Sequence, residues 1–144
     1  MKRDYPDRPI VGAGAVIVQD SRVVLVRRGS EPLKGKWTIP GGMVELGETV
    51  RECAVREALE ETGLLVEAGA VLEVVDSMIA APDGRMQYHY VLIDLFCRPQ
   101  RGELRAGGDA MDACWADARD LERFQLTEAA SRIIRKALEH TFAP

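Results

Sequence analysis

The chain has 144 residues, 47% of them hydrophobic and 29% charged, with a formal net charge of −4. That length suits one domain spanning 1–144, with residues 1–8 as a flexible tail, and the acidic balance argues against a nucleic-acid groove or an anionic membrane as partner. No apolar run approaches the roughly 20 residues of a membrane span, and Cys53, Cys97 and Cys114 are odd in number, far apart and without a CxxC pair, so three free thiols in a reducing, cytoplasmic setting are expected rather than a disulfide framework or a zinc site.

Residues 11–18 read as a strand that passes close to another part of the molecule, because Gly12 and Gly14 remove side chains from alternate positions. Gln19-Asp20-Ser21 is a turn, and the apolar run 23–26 is a buried strand that completes a hairpin and is closed by Arg27 and Arg28. After a polar loop over 29–36, residues 37–39 form a short extended piece that ends in the turn signal Pro40-Gly41-Gly42. Thr49 with Glu52 predicts a capping box at the start of a helix over 50–61, and Gly63 stands where a left-handed cap closes it. Two β-like stretches follow within 66–78, then a turn at 81–84 and a central strand over 87–96. A glycine-rich loop over 99–108, a short strand over 113–116 carrying Trp115, and a helical turn over 117–121 lead to an amphipathic helix over 127–140. Its apolar positions are Ala130, Ile133, Ile134 and Leu138. The order predicts an α/β protein with a mixed sheet and helices on both faces.

The helix over 50–61 carries the chemistry. At about 100° per residue, Glu57, Glu60 and Glu61 fall within an arc of about 100°, bordering the sector of Ala54, Val55, Ala58 and Leu59 that packs on the sheet. Arg56 can pair with Glu60, whereas Glu57 and Glu61 repel one another. Such an edge is tolerable where solvent screens it or a hard divalent cation neutralises it. Mg²⁺ takes one or two carboxylates, keeps waters and binds substrate phosphates.

The segment from Gly42 to Leu64 resembles the signature of the Nudix hydrolases: glycine, five residues, glutamate, seven residues, then Arg-Glu-aliphatic-x-Glu-Glu-x-Gly-aliphatic. Gly42, Glu48, Arg56, Glu57, Glu60, Glu61, Gly63 and Leu64 all match. Ala58 is smaller than the usual aliphatic residue, with Leu59 beside it to compensate. Trp37 to Gly42 is similar to the family's entry to this box, and Trp115-Ala116 with Asp120-Leu121 to its late strand and turn. The resemblance implies an α/β/α sandwich that hydrolyses a nucleoside diphosphate linked to another group. It further implies that Glu57, Glu60 and Glu61, with a backbone carbonyl at Gly41 or Gly42 (Gly42 preferred), bind Mg²⁺ or Mn²⁺. Arg56 would hold a glutamate of the box in place, Glu48 would assist with metal or water, and the general base would be Glu60, Glu61, Asp109 or Asp112.

Arg28 and Lys36 are candidates to contact phosphate, with Arg27 and Lys34 as neighbours of the same kind, and Tyr90 is a candidate to stack on a nucleobase. Strand alternation places Tyr88 and Tyr90 on one face and His89 on the other; His140 is expected in solvent. The stretches Arg27–Trp37 and Tyr88–Asp94 are similar to the ADP-ribose pyrophosphatase subgroup, which implies cleavage of ADP-ribose to AMP and ribose 5-phosphate. One feature departs from that subgroup: the proline sometimes found 16 residues past the box is Ala80 here, with Pro82 nearby. A nucleoside triphosphate pyrophosphatase and a non-catalytic nucleotide sensor are the alternatives. The expected partner is a small nucleoside diphosphate derivative, and a homodimer through a sheet edge or the final helix is compatible with the resemblance.

Overall fold

A computed structural model describes residues 2–141. The elements are β1 (Ile10–Gln19), β2 (Arg22–Arg28), β3 (Trp37–Thr38), β4 (Gly41–Met43), α1 (Val50–Thr62), β5 (Leu65–Ala80), β6 (Met86–Arg101), β7 (Ala110–Asp117), a 3-10 helix over Ala118–Phe124, and α2 (Glu128–Thr141). The sheet is mixed, in the order β3-β2-β1-β6-β5, with β4 paired to β1 and β7 to β2. Among the described residues only β1 and β6 run parallel, from Ile10 opposite Tyr90 to Ile17 opposite Cys97.

The two faces of β1 explain its unbroken apolar sequence. Ala13, Ala15 and Ile17 pack with Cys53, Ala54 and Ala58 of α1, together with Leu95 and Cys97. Val16 and Val18 pack on the other face with Phe96 and with Ile133, Ile134 and Ala137 of α2. A strand covered on both sides has no solvent face to make polar. Among the described residues no helix is long and apolar enough to cross a membrane.

Three local expectations are revised. The glycines at 41–42 form a strand rather than a turn, since without side chains they can lie against β1; a Cβ on Gly41 would stand 2.5 Å from the Ala13 carbonyl oxygen. The two stretches over 66–78 are one long strand, with register shifts at Val66, between Ala68 and Glu73, and near Ala80. Leu59 does not join the packing face, being 50% exposed, whereas Ala58 is fully buried. Ala58 therefore needs no compensation, since a methyl side chain lets α1 lie close to the sheet.

Residues 2–9 contain no helix or strand. Tyr5 N–H nonetheless donates to the Gln87 carbonyl at 2.8 Å, and Arg85 lies over the Tyr5 ring. His140 is exposed, yet its ring centroid is 4.7 Å from that of Phe96.

Both ends of α1 are closed as expected. Thr49 Oγ1 accepts from Glu52 N–H, Glu52 Oε1 accepts from Thr49 N–H, and Gly63 adopts φ +74°. A Cβ on Gly63 would come within 2.7 Å of the Glu103 carbonyl oxygen. Gly63→Ala is expected to lower stability by about 1–2 kcal/mol, from the left-handed backbone and this contact together. A urea titration with an unchanged midpoint would refute it.

Candidate active site

β4 and α1 build the site between them. The bonds Ala15 N–H to Pro40 O and Val44 N–H to Val11 O flank the pair Ala13–Gly42 and turn the Gly42 N–H and carbonyl toward β1. By strand geometry, Gly41 and Met43 then face α1. Gly41 N–H donates to Glu61 Oε2 at 2.9 Å, and the Met43 carbonyl accepts from Arg56 Nη2 at 3.1 Å. Gly41 therefore presents a carbonyl oxygen on the side of Glu61, while the Gly42 carbonyl is turned away. Gly42 matters for its missing side chain, because a Cβ there would fall on the Glu57 carboxylate.

The carboxylates of α1 differ in environment. Glu61 is 91% buried by its exposure of 9%, and burial pushes its carboxyl up to about 7 despite the Gly41 hydrogen bond. Burial also raises Glu57, opposed by Arg56 Nη1 at 2.8 Å. Glu60 is exposed and 3.4 Å from the same guanidinium. Arg56 grips Glu48 through Nε at 2.6 Å and Nη2 at 2.9 Å, which holds the Glu48 carboxyl down at about 2. Glu48 is thus engaged under Arg56 and does not line the cavity beside α1. Cys53 beneath this network is buried, and its thiol is pushed up to about 12, chiefly by burial.

The loop before β7 is carried to the same place by the end of α1. Arg105 N–H donates to Thr62 O and Gly107 N–H to Glu61 O, so the loop satisfies carbonyls that a helix C-terminus leaves unpaired. Asp109 follows at once, held by Ser30 Oγ at 2.6 Å, and lines the cavity. Asp112 does not reach it; its carboxylate is exposed and accepts from Ala113 N–H. Asp109 and Arg28 both act electrostatically on Glu61, which places all three in one neighbourhood.

A cavity of about 530 Å³ opens between this acidic edge and the α2 face of the sheet. Arg28, Lys36 and Tyr90 line it together with Glu57, Glu60, Glu61 and Asp109; Arg27, Lys34, Tyr88 and His89 do not. Among the described residues no three carboxylate, imidazole or thiol groups stand together closely enough to hold a metal ion by themselves. The glutamates form an open edge on which Glu57 and Glu61 each already accept one hydrogen bond. Buried carboxylates held above their usual range, beside an outward backbone carbonyl, are a donor set that fits a hard, partly hydrated cation such as Mg²⁺.

The model of the NUDIX domain family matches residues 8–137. The chain belongs to the Nudix family. A Methanocaldococcus jannaschii protein called ADP-ribose pyrophosphatase is 38% identical over 115 residues, covering 80% of this chain and 66% of that one. A putative Nudix hydrolase of Caenorhabditis elegans is 32% identical over 76% of this chain and 29% of its own length. This chain thus spans under two thirds of these relatives. Among solved structures, a MutT Nudix hydrolase of Burkholderia pseudomallei has 33% identity and a TM-score of 0.77, covering 90% of this chain and 98% of that chain.

Two charged residues of the cavity, Arg3 and Asp94, carry no signature in the sequence. Arg3 lies in the N-terminal segment, where no pattern marks it, and reaches the cavity wall. Asp94 lies within a β-rich run whose hydrophobic neighbours hide it. Its signal was Gly14, the register partner whose missing side chain makes room for the Asp94 carboxyl.

Proposed function

We propose that this Nudix domain hydrolyses the pyrophosphate of ADP-ribose to AMP and ribose 5-phosphate, with Mg²⁺ or Mn²⁺ held by Glu57, Glu60, Glu61 and the Gly41 carbonyl. The observation that carries the reading is an acidic edge opening directly onto an apolar-walled cavity of about 530 Å³ that also holds Arg3, Arg28 and Lys36. The volume is in the range of small-molecule sites. The similarity to the archaeal protein supports the choice of substrate.

The bound metal would neutralise phosphate charge and lower the pKa of a coordinated water. This chain's residues do the rest. Arg56 fixes the Glu57 carboxylate, and Gly41 N–H fixes that of Glu61. Arg28 is anchored by its Nε to the Pro32 carbonyl at 2.6 Å; its terminal nitrogens make no other hydrogen bond among the described residues and are available to phosphate oxygens. Asp109, exposed and poised beside Glu61, is the group we assign to accept the proton of the attacking water.

Incubation with ADP-ribose, dinucleoside polyphosphates, NADH and oxidised nucleoside triphosphates, each with Mg²⁺ and Mn²⁺, tests the reading by product chromatography. AMP and ribose 5-phosphate from ADP-ribose are expected to dominate. Pyrophosphate release from triphosphates alone would replace the substrate and keep the chemistry, and binding without turnover would favour a sensor. Arg28→Ala is expected to raise KM for ADP-ribose about tenfold with a smaller effect on kcat, the pattern of lost phosphate contact. An unchanged KM would remove Arg28 from the site.

A further inference from the structure

Asp94 is the one buried carboxyl of the cavity that the metal chemistry does not use. It is 5% exposed and lies on β6, over Gly14 of β1. Among the described residues its carboxylate makes no hydrogen bond or ion pair. The nearby cations of α2 do not answer it, because Arg132 and Lys136 are both engaged by Glu73. No buried side-chain oxygen or nitrogen is sealed in without a partner among the described residues, so the Asp94 oxygens open onto the cavity they line. Burial pushes the carboxyl up to about 6, as expected of a group that has lost water and gained nothing in return.

Such a group is costly unless a ligand completes it. The cavity it lines is walled also by Ile39, Val75, Leu92 and Tyr90, with Ser77 and Thr127 as neutral polar groups. Largely apolar walls with few polar groups suit a flat heteroaromatic ring with a polar edge better than a polyol, whose many hydroxyls would be left mostly unpaired. An ionised carboxylate only accepts hydrogen bonds, so the ring edge it faces must carry an N–H donor.

We propose that Asp94 determines base specificity by accepting a hydrogen bond from the exocyclic amino group of a nucleobase, the 6-amino group of adenine. The proposal rests on the ADP-ribose reading for the choice of adenine, but it concerns a residue outside the acidic edge. Asp94 is assigned to binding, not to bond cleavage.

The test is calorimetric binding of AMP and of purine riboside 5′-monophosphate, in which hydrogen replaces the amino group, with GMP as a third ligand. Wild type, Asp94→Asn and Asp94→Ala are each measured with Mg²⁺. The wild type is expected to prefer AMP over the deamino analogue by about tenfold to a hundredfold, the discrimination typical of a buried acceptor left unpaired. Asp94→Asn keeps a side-chain oxygen and is expected to retain most of this preference. Asp94→Ala is expected to bind both ligands equally. Melting curves report folding separately, and Asp94→Ala should not lower the melting temperature at pH 8, since the residue removed is an unpartnered carboxyl.

Equal affinity of the wild type for AMP and the deamino analogue would overturn the proposal, as would a preference for GMP. So would an Asp94→Ala protein that loses kcat on its substrate while keeping the AMP preference. Absence of ADP-ribose turnover, with the AMP preference intact and dependent on Asp94, would overturn the substrate reading alone.

Discussion

Glu61→Gln is expected to lower kcat by about 10²–10³-fold, the range for losing one group that stabilises transition-state charge, and at the same time to stabilise the metal-free protein at alkaline pH. The two effects share one cause. Glu61 is buried, and its folded carboxyl stands at about 7, above the 4.5 of an unfolded chain. A carboxyl raised in the folded state binds its proton more tightly there than in the unfolded chain. Its destabilising effect is therefore absent below about 4.5, grows through the interval, and is complete above about 7. The shift corresponds to about 3 kcal/mol. Glutamine carries no charge, and its carbonyl can still accept the Gly41 N–H. Melting temperatures of the metal-free proteins should thus nearly coincide at pH 4 and diverge fully at pH 8, with the variant higher by several degrees. Saturating Mg²⁺ should raise the wild type more than the variant, because binding to the folded state alone adds stability. Wild-type turnover in Glu61→Gln at saturating Mg²⁺ would end the metal assignment, and parallel melting curves would end the electrostatic one.

Arg56→Ala carries the second large expectation. This guanidinium contacts Glu48, Glu57 and Glu60 and the Met43 carbonyl, with Glu45 at 3.7 Å. Removing it leaves Glu45, Glu48, Glu57 and Glu60 without the guanidinium they share. The side chain is 26% exposed, so the loss of stability should be about 2 kcal/mol, below the ~3–5 kcal/mol of a fully buried pair. Turnover should fall about 10–100-fold, as for groups that orient metal ligands. Arg56→Lys should rescue little, because an ammonium cannot span Glu48 and Glu57 with a planar fork. Its effect should be partly recovered by raising Mg²⁺, which distinguishes a misplaced Glu57 from a misfolded chain. A Lys variant with full activity would show that charge alone matters at this position.

The acidic helix was legible because its information is local. Thr49, Glu52 and Gly63 close hydrogen bonds within a few residues of themselves, and helical spacing alone sets the arc of Glu57, Glu60 and Glu61. The glycines were legible in part. Gly12 and Gly14 announced a close approach, but what approaches is Leu92 and Asp94 from a strand some eighty residues away. The same limit applies to Gly41 and Gly42. Their composition signals a turn, and only pairing with β1 makes them a strand and decides which carbonyl faces α1.

Residue order thus determined the helices, most of the strands, the family signature and the identity of the acidic edge, because each depends on neighbours in the chain or on fixed spacing. The tertiary structure alone decided which of Arg27 and Arg28, Lys34 and Lys36, and Asp109 and Asp112 reach the cavity. It also brought Arg3 to the cavity wall and left Asp94 without a partner. Those outcomes depend on loop docking and on register between distant strands. In that register, one residue of displacement moves a side chain to the opposite face of the sheet.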